Sequence, residues 1–312
     1  MDSFIVAFNV VMPLFILIGL GYFIKRMGLV AEASLKEFNS LVFKIFLPVL
    51  LFHNMYQSDF SREINVGIII YSVISILLIF GLLFIFVPKF ERQKPKAAVM
   101  IQGMYRSNFA LFGIAVTESM YGTGNADVTG ILVAAIVPLF NVLAVCLFEI
   151  YKGSVISIRK ILAGIVKNPL IIGTALGLVC NFSGIIFPSV IGQSVLTLGN
   201  LATPVALIAL GGTFTFGNLV KNKIRLAAVT TMRLLVIPLA FVALSIALGY
   251  RGKELFALYM MFASPTAVAS FAMADAMGGD GEMAGQIVVL TTVVSLFSCI
   301  SGIFIMEYIG VI

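Results

Sequence analysis

The sequence is poor in charged residues and in the side chains of metal and redox chemistry. Of its 312 residues only 11% are charged and 61% are hydrophobic, whereas an average soluble domain has about 25% charged residues. There is one His, there are three Cys, and there is no Trp. These scarcities argue against a soluble globular enzyme.

The three cysteines have neither the spacing nor the neighbours of a functional site. Cys146, Cys180 and Cys299 each lie inside an apolar run, without a paired cysteine or a nearby histidine, so no disulfide framework and no metal site are expected. The chain also lacks HExxH and nucleotide-binding patterns, and the Gly278–Gly281 run follows an apolar block rather than lying inside one. We therefore expect no enzymatic activity, no cofactor and no ATP-driven transport by this chain alone.

What the sequence does have is long apolar runs. Mean hydropathy is +1.12, and a membrane-spanning helix needs about 20 apolar residues. The pattern predicts an all-α membrane protein with ten spans. They are 5–24, 38–57, 66–87, 97–120, 128–149, 161–181, 189–211, 226–248, 255–277 and 284–307.

The basic residues indicate an orientation in the membrane rather than a nucleic-acid partner. Most of the 20 Lys and Arg follow odd-numbered spans: Lys25, Arg26, Lys36, Lys89, Arg92, Lys94, Lys96, Lys152, Arg159, Lys160, Lys221, Lys223 and Arg225. The opposite loops hold Arg62, Arg251 and Lys253. Because cytoplasmic loops are enriched in Lys and Arg, this pattern predicts a multi-pass protein of the plasma membrane with both termini outside.

The chain contains an internal repeat with an offset of 156 residues. Pro13, Leu14, Ile16, Leu20, Gly21 and Gly28 recur as Pro169, Leu170, Ile172, Leu176, Gly177 and Gly184, and Pro48, Val49 and Gly122 recur as Pro204, Val205 and Gly278. The repeat divides the chain into halves 1–156 and 157–312 with five predicted spans each. An odd number of spans inverts the second half, and inverted repeats are a signature of secondary transporters.

In such transporters the binding site lies at interrupted helices in matching positions of the two halves. Span 4 contains the polar stretch 102–108, span 9 contains Ser264-Pro265-Thr266, and the offset maps Asn108 onto Ser264. Pro265 removes a backbone donor and disfavours helix at Ser264. The alternative is an ordinary proline kink with polar helix packing.

Several charged residues fall in or beside spans. Arg106 is suited to bind an anionic substrate through its guanidinium, or alternatively snorkels to the interface. Lys44 and Arg233 are weaker substrate candidates and otherwise act as tethers between helices. Glu118 and Asp275, near opposite ends of spans 4 and 9, serve proton coupling or are simply solvated helix ends. His53 is expected at the interface.

Several motifs resemble the auxin efflux carrier family over essentially the whole chain. They are Asn39-x-Leu41-Val42, Leu47-Pro48-x-Leu50-Leu51-Phe52, Arg106-Ser107-Asn108 with Gly113, Asn168-Pro169-Leu170, Pro204-x-Ala206-Leu207-x-Ala209-Leu210-Gly211, and Pro265-Thr266-Ala267-Val268 with Ala274 and Gly278-Gly279-Asp280.

The resemblance implies a fold similar to sodium/proton antiporters and bile acid symporters. Spans 1, 2, 6 and 7 would form a scaffold, with a homodimer through spans 2 and 7. Spans 3–5 and 8–10 would form a moving transport domain in an elevator-type mechanism, with spans 4 and 9 crossing as broken helices. Family substrates are organic anions, namely auxin in plants and malate- or malonate-type carboxylates in bacteria. The absence of a long hydrophilic loop resembles the bacterial carriers.

The predicted function is therefore secondary transport of a small organic anion, and the alternatives are a passive anion channel or a transport-inactive sensor of the same fold. The candidate substrate site consists of Arg106, Ser107, Asn108, Gly113, Ser264, Pro265, Thr266 and Ser270. One departure from the family is Gly113-Ile114-Ala115, where Gly-x-Pro is common. We therefore expect span 4 to open without proline, at Gly113 and the polar stretch before it.

Overall fold

The structure, a computed structural model, describes residues 2–58, 65–152 and 158–312. In these residues it contains sixteen α-helices, joined by short loops, and no β-strand. The helices of the first half are α1 (Asp2–Arg26), α2 (Glu32–Leu41), α3 (Leu47–Tyr56), α4 (Val66–Phe90), α5 (Lys94–Tyr105), α6 (Phe109–Tyr121) and α7 (Asp127–Lys152). Those of the second half are α8 (Ile158–Lys167), α9 (Pro169–Phe182), α10 (Ser189–Asn200), α11 (Ala202–Thr213), α12 (Leu219–Thr231), α13 (Ile237–Ala247), α14 (Gly252–Ala263), α15 (Ala269–Met277) and α16 (Gly281–Tyr308).

Long apolar helices dominate, as the composition predicts. Among the described residues, five helical stretches are long and apolar enough to cross a membrane, and they lie at Val66–Phe90, Asp127–Lys152, Ser189–Thr213, Leu219–Ala247 and Gly281–Tyr308. Shorter apolar helices accompany them at Phe109–Tyr121 and Pro169–Phe182. Predicted spans 97–120 and 255–277 are each two helices rather than one.

Predicted span 161–181 is also divided, and its boundary has a local cause. Asn168 has extended backbone (φ −73°, ψ 125°) because the following Pro169 disfavours helical geometry there. Its side-chain oxygen accepts a hydrogen bond from Leu170 N at 2.9 Å and caps α9. Helix α8 is therefore separate from α9 and carries its own basic residues.

Two helical stretches contain a π-helical turn, and each turn holds one of the candidate tethers. Lys44 lies in the segment Val42–Phe46 between α2 and α3, and Arg233 in Met232–Val236 between α12 and α13. Short π-helical insertions are uncommon and frequently occur at functional positions.

Helices α1, α2, α3, α9, α10 and α11 pack together, and we call them the panel. Within it α1 lies against α11 and α3 lies against α9. Both contacts depend on glycine: a Cβ atom at Gly21 would lie 2.0 Å from the Ile208 carbonyl oxygen, and one at Gly177 would lie 2.4 Å from that of Phe52. Small residues permit such close packing of apolar helices. Adding 156 to 21 and to 52 gives 177 and 208, so the two contacts correspond under the repeat.

The remaining long helices, α4–α7 and α12–α16, form the second group, which we call the core. Residues 97–105 of α5 and 255–263 of α14 are buried without exception. A helix that is buried on all sides lies inside the protein rather than facing lipid. These two helices place their C-terminal ends in the centre of the core.

Polar contacts between loops and neighbouring helices distinguish two ends of the molecule. At one end Lys253 Nζ donates to Asn125 Oδ1 at 2.9 Å and Asn65 Nδ2 donates to Glu254 Oε1 at 2.7 Å; we call this the Asn125 end. At the other, the Glu91 end, Glu91 pairs with Arg225. The two sets of loops alternate along the chain, as alternating spans require.

Candidate functional site

Two interruptions, or breaks, separate α5 from α6 and α14 from α15. They meet and bond to each other in the middle of the core, and we call this region the crossing. Asn108 N donates to Pro265 O at 2.8 Å, and Ala267 N donates to Arg106 O at 3.2 Å. Ser107 and Thr266 form an isolated antiparallel bridge. Backbone groups released by the two interrupted helices therefore satisfy one another, as apolar surroundings require.

Each break has a distinct cause in the sequence. Helix α14 ends before Ser264, which is extended (φ −60°, ψ 150°) in front of Pro265. Helix α5 ends before Arg106, also extended (φ −86°, ψ 107°), without any proline. Helix α6 then runs through Gly113 without interruption. The expectation that Gly113 helps to open span 4 is therefore wrong, and Arg106–Asn108 provide the break.

Thr266 connects the second break to α5 and α16 by hydrogen bonds. Its hydroxyl donates to Gly103 O at 2.7 Å, and its backbone N–H donates to the Thr291 hydroxyl oxygen at 3.2 Å. Thr266 is fully buried. Its side chain thus holds the crossing to α5 and α16.

Arg233 lies at the C-terminal ends of both broken helices. Its guanidinium donates to Ser264 O (2.9 Å), Met261 O (3.1 Å), Met104 O (3.2 Å) and Tyr105 O (3.3 Å). It is 1% exposed. Carbonyls at helix C-termini lack intrahelical partners and carry partial negative charge, so Arg233 neutralises both ends at once.

Arg106 is the second buried cation at the crossing, and its partners are uncharged. Its guanidinium donates to Asn141 Oδ1 at 2.7 Å and to Met273 Sδ at 2.8 Å. Within the described part of the chain, no carboxylate lies at ion-pair distance from it. Its positive charge is therefore uncompensated although its side chain is 5% exposed.

A cavity of about 430 Å³ lies between the panel and the core at this crossing. Its core side is lined by Arg106, Ser107, Asn108, Ala110, Leu111, Val137, Phe140, Asn141, Ala267, Val268 and Ala269. Its panel side is lined by Leu47, Leu50, Leu51, Asn54, Leu170, Gly199, Asn200, Ala202, Thr203 and Ala206. A mostly apolar cavity with a few convergent polar groups is typical of a small-molecule site.

Two buried polar atoms of the residues that line this cavity have no hydrogen-bond partner in the part of the chain that the structure describes. They are Asn141 Nδ2 and Ser107 Oγ. Because Asn141 Oδ1 is held by Arg106, its amide donors remain available. An unpaired buried polar group is costly, so a ligand oxygen in the cavity would be stabilised here.

The structure brings part of the predicted substrate site to the cavity. Arg106, Ser107 and Asn108 line it, whereas residues 267–269 take the place of Ser264–Thr266 on the other half. Ser264 is buried, with its hydroxyl donating to Met260 O at 2.6 Å. Pro265 contributes its carbonyl to the crossing. Ser264 and Pro265 therefore form part of the crossing but do not line the cavity.

Gly113 and Ser270 also lie away from the cavity lining. A Cβ atom at Gly113 would lie 3.1 Å from Thr129 Cγ2, so this glycine allows α6 and α7 to approach. Ser270 is 2% exposed, and its hydroxyl has no hydrogen-bond partner. Gly113 is about one turn inside α6, and Ser270 is the second residue of α15.

The other predicted charged residues do not line the cavity. Glu118 accepts a hydrogen bond from Gly124 N at 3.2 Å. Asp275 accepts one from Asn39 Nδ2 at 2.8 Å, which joins α15 of the core to α2 of the panel. Lys44 is exposed, and in the described residues it makes no hydrogen bond or ion pair.

Sequence reasoning missed Asn141 and the panel residues Asn54, Asn200 and Thr203, all of which line the cavity. The available signal was an isolated amide or hydroxyl inside an apolar span. Asn141 carried it most clearly, since it is the one polar residue of the stretch 130–148 and is fully buried.

A second cavity of about 440 Å³ adjoins the first and extends towards the Asn125 end. Both cavities share Asn54 and Ala110, and the second is also lined by His53, Gln57 and Asp127. His53 is thus at the wall of this second cavity. Together the two cavities lead from the crossing to one end of the molecule.

Long apolar helices around a central polar crossing of two broken helices are typical of membrane transport proteins. The chain matches the family model described as "Membrane transport protein" over residues 6–301, and it therefore belongs to this family, the auxin efflux carrier family.

Among similar proteins is an uncharacterized transporter of Methanothermobacter thermautotrophicus. It is 23% identical over 290 residues, covering 92% of this chain and 94% of the relative. The uncharacterized transporter YfdV of Escherichia coli K12 is 23% identical over 275 residues, covering 85% of this chain and 86% of the relative. YfdV of Shigella flexneri matches to the same extent.

Proposed function

We propose that this protein is a secondary transporter of small organic anions and that the cavity at the crossing is its substrate site. The observation that carries the proposal is Arg106, a buried guanidinium without a carboxylate partner in the described residues, at the wall of a cavity. A buried charge is costly unless it is paired. A substrate carboxylate would supply the missing charge.

The helix dipoles also favour a negatively charged substrate. Helix α6 begins at Phe109 and α15 begins at Ala269, and the residues at both starts line the cavity. A helix N-terminus carries about +0.5 charge and favours anions. The opposing C-terminal ends of α5 and α14 are neutralised by Arg233, so the region around the cavity has a positive potential.

The proposed mechanism is elevator-type alternating access built on an inverted repeat of ten spans. In support, the glycine contacts Gly21–Ile208 and Gly177–Phe52 correspond under the offset of 156. The cavity also lies at the boundary between the panel and the core. We assign the panel as the scaffold and the core as the moving domain.

In this mechanism the present conformation is open towards the Asn125 end. The two adjoining cavities lead there from the crossing. At the Glu91 end, Asn39 and Asp275 join the panel to the core. Because the positive-inside rule predicts a cytoplasmic Glu91 end, we assign this conformation as an outward-facing state of a plasma membrane carrier.

Counterflow in proteoliposomes tests the proposal. Vesicles loaded with an unlabelled mono- or dicarboxylate should accumulate the same labelled compound transiently and with saturation, which neither a channel nor an inactive sensor does. Arg106→Gln should weaken uptake of dicarboxylates more than of monocarboxylates, while Arg92→Gln, in a loop at the Glu91 end, should leave both unchanged. Equal counterflow by wild type and Arg106→Gln for every mono- and dicarboxylate tested would contradict this site.

A further inference from the structure

A further pocket lies on the outer side of the helices, and it shares no lining residue with the cavity at the crossing. It is a groove of about 370 Å³ bordered by α1 and α11 of the panel and by α12 and α16 of the core. Phe15, Gly19 and Tyr22 form one wall, and Leu290 and Val293 form the facing wall. The groove runs along α1 and α16 from the Glu91 end towards mid-membrane.

One polar residue interrupts this apolar lining at the Glu91 end. Gln286 is 1% exposed and lines the groove. Its Oε1 accepts a hydrogen bond from Asn222 Nδ2 at 2.9 Å, but among the described residues its Nε2 has no partner. A buried amide donor with no acceptor in an apolar groove is costly, and an oxygen atom of a ligand would satisfy it.

Basic residues follow the groove at the same end. Arg26 is one helical turn beyond Tyr22 on the same face of α1, towards the Glu91 end. Lys223 is on the same face of α12 as Leu219, and it is level with Gln286 because its neighbour Asn222 bonds to Gln286. Both side chains are exposed. Lys25, by contrast, is paired with Glu32 at 3.4 Å.

We propose that this groove binds an anionic phospholipid of the cytoplasmic leaflet. An acyl chain lies along the apolar wall between α1 and α16, an ester carbonyl accepts from Gln286 Nε2, and the phosphate lies near Arg26 and Lys223. These features match a phospholipid, with the apolar tail towards mid-membrane and the Gln286 amide and the two cations together nearer the interface.

Gly19 provides a precise way to fill the groove. A Cβ atom there would meet nothing within 4 Å, so Gly19→Phe adds a side chain to the groove without a backbone clash. Gly81 of α4 is equally open and lies outside the groove, so Gly81→Phe is the matched control. Both variants introduce the same residue into an apolar helix.

Native mass spectrometry of the delipidated full-length protein, titrated with phosphatidylglycerol or phosphatidylcholine, tests the proposal. Wild type and Gly81→Phe should bind one phosphatidylglycerol about tenfold more tightly than phosphatidylcholine. Gly19→Phe should weaken phosphatidylglycerol binding about tenfold, and Gln286→Leu should weaken it about threefold to tenfold. The double variant Arg26→Gln/Lys223→Gln should bind both lipids equally.

Two results would overturn the assignment. Unchanged phosphatidylglycerol binding by Gly19→Phe would place the lipid elsewhere, and equal binding of the two lipids by wild type would show that no charged headgroup is recognised. If Gly19→Phe instead changes only the monomer–dimer ratio, the groove is a contact between two copies of the chain and the lipid proposal fails.

Discussion

Asn108 combines a position at the cavity with a side chain that the fold does not use. It precedes α6, but its side chain makes no capping hydrogen bond, although asparagine is a favoured cap. Its backbone N–H is what joins the two breaks. The amide group is therefore available for a substrate.

Replacing Asn108 with alanine should weaken substrate binding by about 1–3 kcal/mol because a buried ligand group loses its partner. Thermal stability should change little, since the backbone bond to Pro265 is kept. The apparent affinity in counterflow and the melting temperature of the purified protein measure the two effects. Normal affinity with normal expression would remove Asn108 from the site.

Arg233 should behave in the opposite way, with a large effect on stability. Arg233→Met leaves four buried carbonyls of α5, α14 and Ser264 without their donor, which should cost about 3 kcal/mol or more because hydrogen bonds to charged groups contribute about 1.5–3 kcal/mol each. Arg233→Lys keeps the charge and up to three donors and should recover part of the loss. Differential scanning fluorimetry measures both, and a melting temperature unchanged in Arg233→Met would contradict the neutralising role.

At the scale of helices, the contact between Asn39 and Asp275 joins α2 to α15. A double variant Asn39→Cys/Asp275→Cys, in a background with Cys146, Cys180 and Cys299 replaced by serine, should be joined by a short bifunctional methanethiosulfonate reagent, whose two disulfides hold the panel and the core together. In the proposed mechanism this cross-link stops transport, and a reducing agent restores it. Transport that continues at full rate in the cross-linked protein would rule out movement between α2 and α15.

The pair Glu91–Arg225 joins the α4–α5 loop to α12 in a similar way. Burial raises the pKa of Glu91, but the hydrogen bond from Gln93 N–H and the interaction with Arg225 lower it by more. The pKa of Glu91 therefore lies below the ordinary value. An acid with a lowered pKa stabilises the fold above its unfolded pKa of about 4.3 and loses this contribution as the pH falls through the folded value.

Glu91→Gln should therefore lower the melting temperature at pH 7 and have progressively less effect as the pH falls below about 4. Glu32→Gln is the control, because Lys25 and then Lys36 lower the pKa of Glu32 on an exposed surface, where ion pairs contribute little. Equal destabilisation by both variants at pH 7 would contradict the importance of burial at Glu91.

For the molecule as a whole, the alternating loops predict which positions face each side of the membrane. In a background without native cysteines, Asn125→Cys and Gly252→Cys should react with an impermeant maleimide in intact cells. Lys94→Cys, next to the Glu91 end, should react only after permeabilisation. Gly153, in another loop predicted to be cytoplasmic, lies outside the described residues. Labelling of Lys94→Cys in intact cells would overturn the predicted orientation.

The parts of this fold that depend on local pattern were predictable, and those that depend on packing were not. Apolar runs predicted the helices, and Ser264-Pro265 predicted the second break because proline acts on its own neighbour. The first break has no such residue, and its position at Arg106 rather than Gly113 is decided by bonds to Pro265 and Ala267 from the other half.

The site was predictable to a similar degree. Arg106 and Asn108 were visible because a charged or amide residue inside an apolar span is expensive. Asn141 pairs with Arg106 across 35 positions, and no spacing rule connects them. Lys44 and Arg233 looked alike in sequence, yet one side chain is exposed and the other is buried among carbonyls.

The two buried guanidiniums at the crossing have a consequence for the energetics of transport. In the proposed cycle the empty core carries the charges of Arg106 and Arg233 through the membrane, whereas the core loaded with a dianion carries almost no net charge. A potential of 100 mV acts on each elementary charge with about 2.3 kcal/mol. A negative cell interior should therefore pull the empty core inward and leave the loaded core nearly unaffected. The membrane voltage then drives the return of the empty core, and this favours export of the anion.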